Sequence, residues 1–190
     1  MKDLQTCPWA QGDIYIAYHD NEWGVPNRNR NQLFEKICLE GQQAGLSWIT
    51  VLKKRDNYRK RFHQFKPEKV AAMTDADIAD CLTDAGLIRH AGKLEAIRKN
   101  AKAWLAMEAQ GIDMVEWLWA FVGNEIKVNH LKNMSEAQAQ TSESQAMSKA
   151  LKKAGFGFVG PTTCYAFMQS MGMVNDHMTN CPCHPDNLKA

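Results

Sequence analysis

The stretch NDHMTNCPCH, Asn175 to His184, puts His177 and Cys181 at H-x3-C spacing, which suits two ligands of a tetrahedral metal. A closed site needs four. The remaining candidates stand at the other end of the chain, where CPWAQGDIYIAYHDNEWG carries Cys7 and His19 among Trp9, Tyr15, Tyr18 and Trp23. Cys7, His19, His177 and Cys181 make a Cys2His2 set, complete for structural zinc and with no open position for a catalytic water. Cys183 and His184 compete as ligands.

A second constellation lies in CLEGQQAGLSWITVLKK. Glu40 follows apolar Ile37, Cys38 and Leu39 and precedes Gly41, with Trp48 eight residues on, so a carboxylate stands near a helix end beside apolar surface. Such a group either faces a pocket or is an ordinary exposed terminus.

The third is KKAGFGFVGPTT. Two helices joined by a Gly-rich connection, with Gly157 and Gly160 near the bend and Thr162 in the next helix's first turn, let backbone amides approach a phosphate closely. The usual hairpin pattern is roughly L-P-G-V-G, and Phe158 stands where its first Gly would be. Basic residues accompany it: KKRDNYRKR, Lys53 to Arg61, carries six positive charges against one negative, and Lys152 closes the helix before the hairpin. A solvated helix face has the same appearance.

These residues need elements to hold them, and nearly every periodic segment reads as helix. NQLFEKICLE sets Leu33, Phe34, Ile37 and Cys38 on one stripe, and LSWITVLKKRDNYRKRF reads as one helix opened by Ser47. Thr74 opens a T-x-x-D capping pattern, and AGKLEAIRKNAKAWLAMEAQG runs as a single helix to Gly111. MVEWLWAFVGN is a short central helix, residues 125–144 a polar loop, and Ser142 or Ser144 opens the helix ending at Gly155. The last helix starts at Pro161 and stops at Gly172. The expectation is an all-α chain, residues 1–190 forming one unit with its ends joined at the metal.

The 45% hydrophobic and 23% charged fractions are those of an ordinary soluble protein, and a net charge of +2 does not by itself establish a nucleic-acid partner. Six Cys without a secretory signal or a bilayer-spanning run favour a reducing, cytoplasmic setting. A zinc nucleobase deaminase needs H-x-E and P-C-x-x-C; HDNE and CPCH stand here instead.

Taken together, IYIAYHDNEWGVP, CLEGQQAGLSWITVLKKR, DAGLIRHAGKLEAI, FGFVGPTTCYAFMQ and VNDHMTNCPC closely resemble the 3-methyladenine DNA glycosylase I family of the helix–hairpin–helix superfamily, from Cys7 to Cys183. The resemblance implies a bacterial monofunctional base-excision repair enzyme that hydrolyses the N-glycosidic bond of 3-methyladenine in double-stranded DNA, as a cytoplasmic, nucleoid-associated monomer without a membrane partner. By matched position, Glu40 hydrogen-bonds the flipped base, Trp48 and Tyr18 stack on it, and Trp9 and Tyr15 are further pocket aromatics. Gly45 and Leu46 fall where the family enters the DNA stack, and the four zinc ligands match those found by counting. Asp176, where many superfamily members carry a catalytic Asp, is expected instead to support His177 or cap a helix. No lysine stands out as a Schiff-base nucleophile.

Overall fold

The computed structural model describes residues 4–188. Its helices in chain order are α1 (Asp13–Asn21), α2 (Arg30–Gln42), α3 (Trp48–Leu52), α4 (Arg55–Arg61), α5 (Pro67–Ala71), α6 (Asp75–Thr83), α7 (Ala91–Ala109), α8 (Met114–Ala120), α9 (Ser142–Lys153), α10 (Pro161–Ser170) and α11 (Pro185–Leu188). Two short strands, β1 (Lys127–Val128) and β2 (Val174–Asn175), interrupt an otherwise helical chain.

The core forms around α2, where Leu33, Phe34, Ile37, Cys38 and Leu39 are buried as expected from their stripe. Asn29 caps the helix by accepting from the amides of Asn31 and Gln32. Burial does not stop at the stripe, for Lys36, Glu40 and Gln42 are enclosed too, because α7 and α10 pack against the same helix. The helix also runs through Gly41 rather than breaking there. Its end is capped by Lys93 of α7, whose Nζ donates to the carbonyls of Gln42 at 2.9 Å and Ala44 at 2.6 Å.

LSWITVLKKRDNYRKRF is two helices, not one. The chain turns at Lys53 and Lys54, whose amides close back on Ile49 and Val51, so that Val51 on α3 and Tyr58 on α4 both reach the core. Ser47 precedes α3 without a capping bond and its Oγ pairs with Thr50 Oγ1 instead. The Thr74 capping box is present, and a second one is formed by Thr141 with Ser144, one residue before the expected start of α9.

The polar segment after α8 is not a free loop. β1 pairs in parallel with β2, Lys127 opposite Val174 and Val128 opposite Asn175, and Leu131 bridges to Met178. Its backbone therefore finds partners on the stretch that carries His177.

Candidate active site

Four side chains from the two ends of the described chain converge. Cys181 Sγ lies 3.4 Å from both His19 Nε2 and His177 Nδ1, Cys7 Sγ lies 3.8 Å from His177 Nδ1, and the two histidine nitrogens are 3.1 Å apart. Tetrahedral Zn–N and Zn–S bonds imply edges of about 3.3 Å for N to N and about 3.6 Å for S to N, so the donor set fits zinc. The rings are oriented for it. His177 Nε2 donates to the carbonyl of Trp23 at 3.0 Å and His19 Nδ1 is 2.7 Å from Asp20 Oδ1, which leaves the cluster-facing nitrogens as acceptors. All four side chains are buried.

The competing ligands have other employment. Cys183 stands outside the tetrahedron, 3.7 Å from Asp20 Oδ1, with its amide donating to Cys181 Sγ. His184 is buried between the Asn129 carbonyl and the Asp186 amide.

The cluster carries an aromatic wall. Trp9 meets Trp23 at 5.0 Å, His19 at 5.3 Å and Tyr15 at 5.5 Å, all edge to face. Beyond them opens a cleft of about 220 Å³ lined by Trp9, Tyr15, Tyr18, Trp23, Trp48 and Glu40, with Gln43, Met134, Ala166 and Gln169. Tyr15 Oη accepts from the amide of Ile49, tying α1 to the start of α3. Tyr18 and Trp48 are 5.6 Å apart at 44°, so together they offer an angled corner rather than one flat face. Trp48 Nε1 is buried without a partner among the described residues, a donor whose isolation costs about 1–3 kcal/mol.

Glu40 is 4% exposed. Burial pushes its carboxyl up to about 7, opposed by the ammonium of Lys36. Lys36, one helical turn earlier, is absent from the sequence reading. Its Nζ donates to Tyr18 Oη at 3.1 Å and lies 4.4 Å from the Trp48 ring centre, behind the wall and outside the cleft lining.

A shallower groove continues from Glu40 past Gln43, Ala44, Gly45 and Leu46 to Thr162 and Thr163. Leu46 is 42% exposed and Gly45 holds a left-handed φ of 76°, which suits a residue without Cβ. Gly160 precedes α10 with no capping side chain, and Thr162 and Thr163 of the helix's first turn line the groove end. Phe158 takes φ 55°, the left-handed conformation the usual hairpin Gly would supply. Gly157 departs from expectation: its amide is occupied by Asn100 Oδ1 at 2.8 Å, and it is a packing residue against α7.

Much of the basic run is consumed internally. Arg55 pairs with Glu22, Arg59 with Glu35, and Arg61 with Asp80, while Lys54 donates to the Ala85 carbonyl. Lys53 and Lys152 are exposed and enter no ion pair among the described residues. Asp176 neither caps a helix nor touches the His177 ring; fully buried, it accepts from Asn129, Tyr165 and Gln169 and holds the pocket side of α10 to the β1 segment.

A helical chain with a buried carboxylate at the base of an aromatic cleft, beside a Cys2His2 cluster, has matched relatives. A family model described as methyladenine glycosylase matches residues 9–184, and the chain belongs to that family. It is 57% identical over 185 residues to DNA-3-methyladenine glycosylase 1 of Escherichia coli (strain K12), covering 97% of this chain and 99% of that one. A crystal structure of 3-methyladenine DNA glycosylase I superposes with a TM-score of 0.94 at 55% identity, covering 95% of this chain and all of that one. The Staphylococcus aureus 3-methyladenine DNA glycosylase I, whose structure addresses 3-methyladenine recognition, superposes with a TM-score of 0.90 at 36% identity over 96% of this chain and 97% of that one.

Proposed function

We infer that this protein excises 3-methyladenine from alkylated DNA by hydrolysing the N-glycosidic bond, leaving an abasic site. Glu40 carries the reading: a carboxylate 4% exposed, enclosed by Tyr18 and Trp48 at the inner end of an aromatic cleft. Burying a carboxylate is costly, and neutral adenine returns little. Alkylation at N3 makes the base cationic, so it gains charge-assisted hydrogen bonds to Glu40 of about 1.5–3 kcal/mol and cation–π attraction of about 1–2 kcal/mol. The same positive charge makes it a good leaving group, and selection by binding then suffices.

A base inside a duplex is out of reach, so the enzyme flips it, at a cost that is lowest for a damaged pair. In this reading α9, the 154–160 connection and α10 form a helix–hairpin–helix anchor on double-stranded DNA, with the backbone at Gly160 and the amide of Thr162 on a phosphate and Lys53 and Lys152 on the flanking backbone. Gly45 and Leu46 enter the stack beside the cleft. No lysine lines the cleft among the described residues, which supports hydrolysis over strand-cleaving lyase chemistry. Cys7, His19, His177 and Cys181 hold one zinc, which contributes rigidity and no reaction step. Trp9, Tyr18 and Trp48 shape the cleft while the enzyme acts as a monomer.

Incubation of the purified protein with methylated duplex DNA, with chromatographic identification of the released base, tests this directly. Release of 3-methyladenine is expected; binding without release would leave only a DNA-binding module.

A further inference from the structure

Lys36 is a buried cation that the excision chemistry above does not use. It is 4% exposed, its Nζ lies 4.6 Å from the Tyr18 ring centre and 4.4 Å from that of Trp48, and it donates to Tyr18 Oη at 3.1 Å. Its charged neighbours are Glu22 beyond α1, Glu35 and Glu40 on α2, and Arg55 on α4. Glu22 is committed to Arg55, and Glu35 to Arg59. Among the described residues Glu40 alone of these acids has no ion pair, and it stands one turn from Lys36 on the same helix.

We propose that Lys36 is a positioning residue of the base cleft: from behind the aromatic wall its ammonium favours the ionised form of Glu40 against the effect of burial, and by donating to Tyr18 Oη it leaves the phenol's own hydrogen to be donated. This deepens the reading of the cleft as a 3-methyladenine site and rests on it. The groups facing Glu40 are Tyr15 and Tyr18 of α1, Lys36 of α2 and Ser170 of α10, and of these only Lys36 is cationic. Burial of both groups opposes their charges, holding Lys36 down to about 8 and Glu40 up to about 7, while each charge favours the other. A cation behind the two rings also weakens their pull on a cation in front. Selection for the charged base therefore falls mainly on Glu40.

The test is the pH profile of single-turnover release of 3-methyladenine from methylated duplex DNA by the wild type, Lys36→Met and Lys36→Arg. The N3-alkylated nucleotide carries a fixed charge over this range, so the acid limb belongs to the protein. Lys36→Met should move that limb upward by about one pH unit, and Lys36→Arg should restore it. An unmoved limb, even with a lowered plateau, would mean that Lys36 only packs and would overturn the assignment. Lys36→Gln carries the same readings should the Met variant not fold, and a chain that folds with neither gives Lys36 a structural role instead. No release by the wild type would overturn both the function and this inference; release with an unmoved limb overturns this inference alone.

Discussion

Gly41 of α2 and Phe158 of the connection between α9 and α10 are packed so closely that a methyl group on Gly41 would stand 3.1 Å from both the Cβ and the carbonyl oxygen of Phe158. The helix bearing Glu40 and the connection read as a DNA anchor thus meet at a glycine. One obstructing atom belongs to the backbone, so the contact cannot be relieved by a rotamer change. Gly41→Ala should destabilise the fold by about 1–3 kcal/mol and weaken duplex binding more than binding of the free base. Urea unfolding and calorimetry check this, and equal losses in both affinities would show that the contact does not set the spacing between anchor and cleft.

Glu40→Gln keeps the shape of the side chain and removes its charge. Excision should fall, with free-base affinity reduced by about 1.5–3 kcal/mol and undamaged-duplex affinity unchanged. Stability should move the other way. Because the folded protein raises the Glu40 carboxyl from 4.5 to about 7, the folded state holds this proton more tightly than the unfolded state. The group's contribution to stability is therefore greatest below pH 4.5 and is lost as pH climbs to about 7. At neutral pH and above, Glu40→Gln should gain about 1–3 kcal/mol in denaturant titration. A variant less stable than wild type at pH 8 would contradict this account.

Trp48→Ala should cost about 1–3 kcal/mol of base affinity through lost stacking. Since Trp48 Nε1 has no protein partner among the described residues, Trp48→Phe separates face from edge. Affinity near wild type for the Phe variant would assign Trp48 to stacking alone; a loss approaching that of Ala would assign the indole N–H a direct bond to the base.

Elemental analysis should find one zinc per chain, reduced in Cys181→Ala. Chelation should lower free-base affinity while leaving the α5–α7 region protected in hydrogen exchange, because the cluster supports the wall through Trp9 and Trp23 and is remote from that pair of helices. Full zinc in Cys181→Ala would shift the ligand assignment to Cys183.

Lys53→Ala and Lys152→Ala should each weaken duplex affinity and reduce the dependence of log K on log salt by about one. Arg59→Ala should instead lower stability, because its guanidinium is held by Glu35. The reverse pattern in salt titrations would move the DNA face to α4.

The convergence of Cys7, His19, His177 and Cys181 was legible because cysteine and histidine supply few alternatives and a closed site requires a fixed number of them. The cleft was legible in part. Tyr18, Glu40 and Trp48 belong to recognisable strings, whereas Met134 reaches the cleft from a segment with no periodic pattern, held there by strand pairing far along the chain. Lys36 escaped for a different reason: a stripe on a helix implies one wet face, and α2 has almost none. Six charges between Lys53 and Arg61 suggested a basic surface, but whether a guanidinium is free depends on acids such as Glu22, Glu35 and Asp80 on other elements. Spacing within a segment does not report such partners.

The joining of Cys7 and His19 to His177 and Cys181 also sets an order of events during synthesis. Tyr18, Glu40 and Trp48 all leave the ribosome early, yet the frame that steadies their wall is completed only when Cys181 follows, more than a hundred residues later. At about 5–20 residues per second that is a delay on the order of ten seconds. On the function proposed above, a chain that ends before Cys181 carries Tyr18, Glu40 and Trp48 without the cluster that holds their wall in place, and should bind the base weakly until those last residues are added.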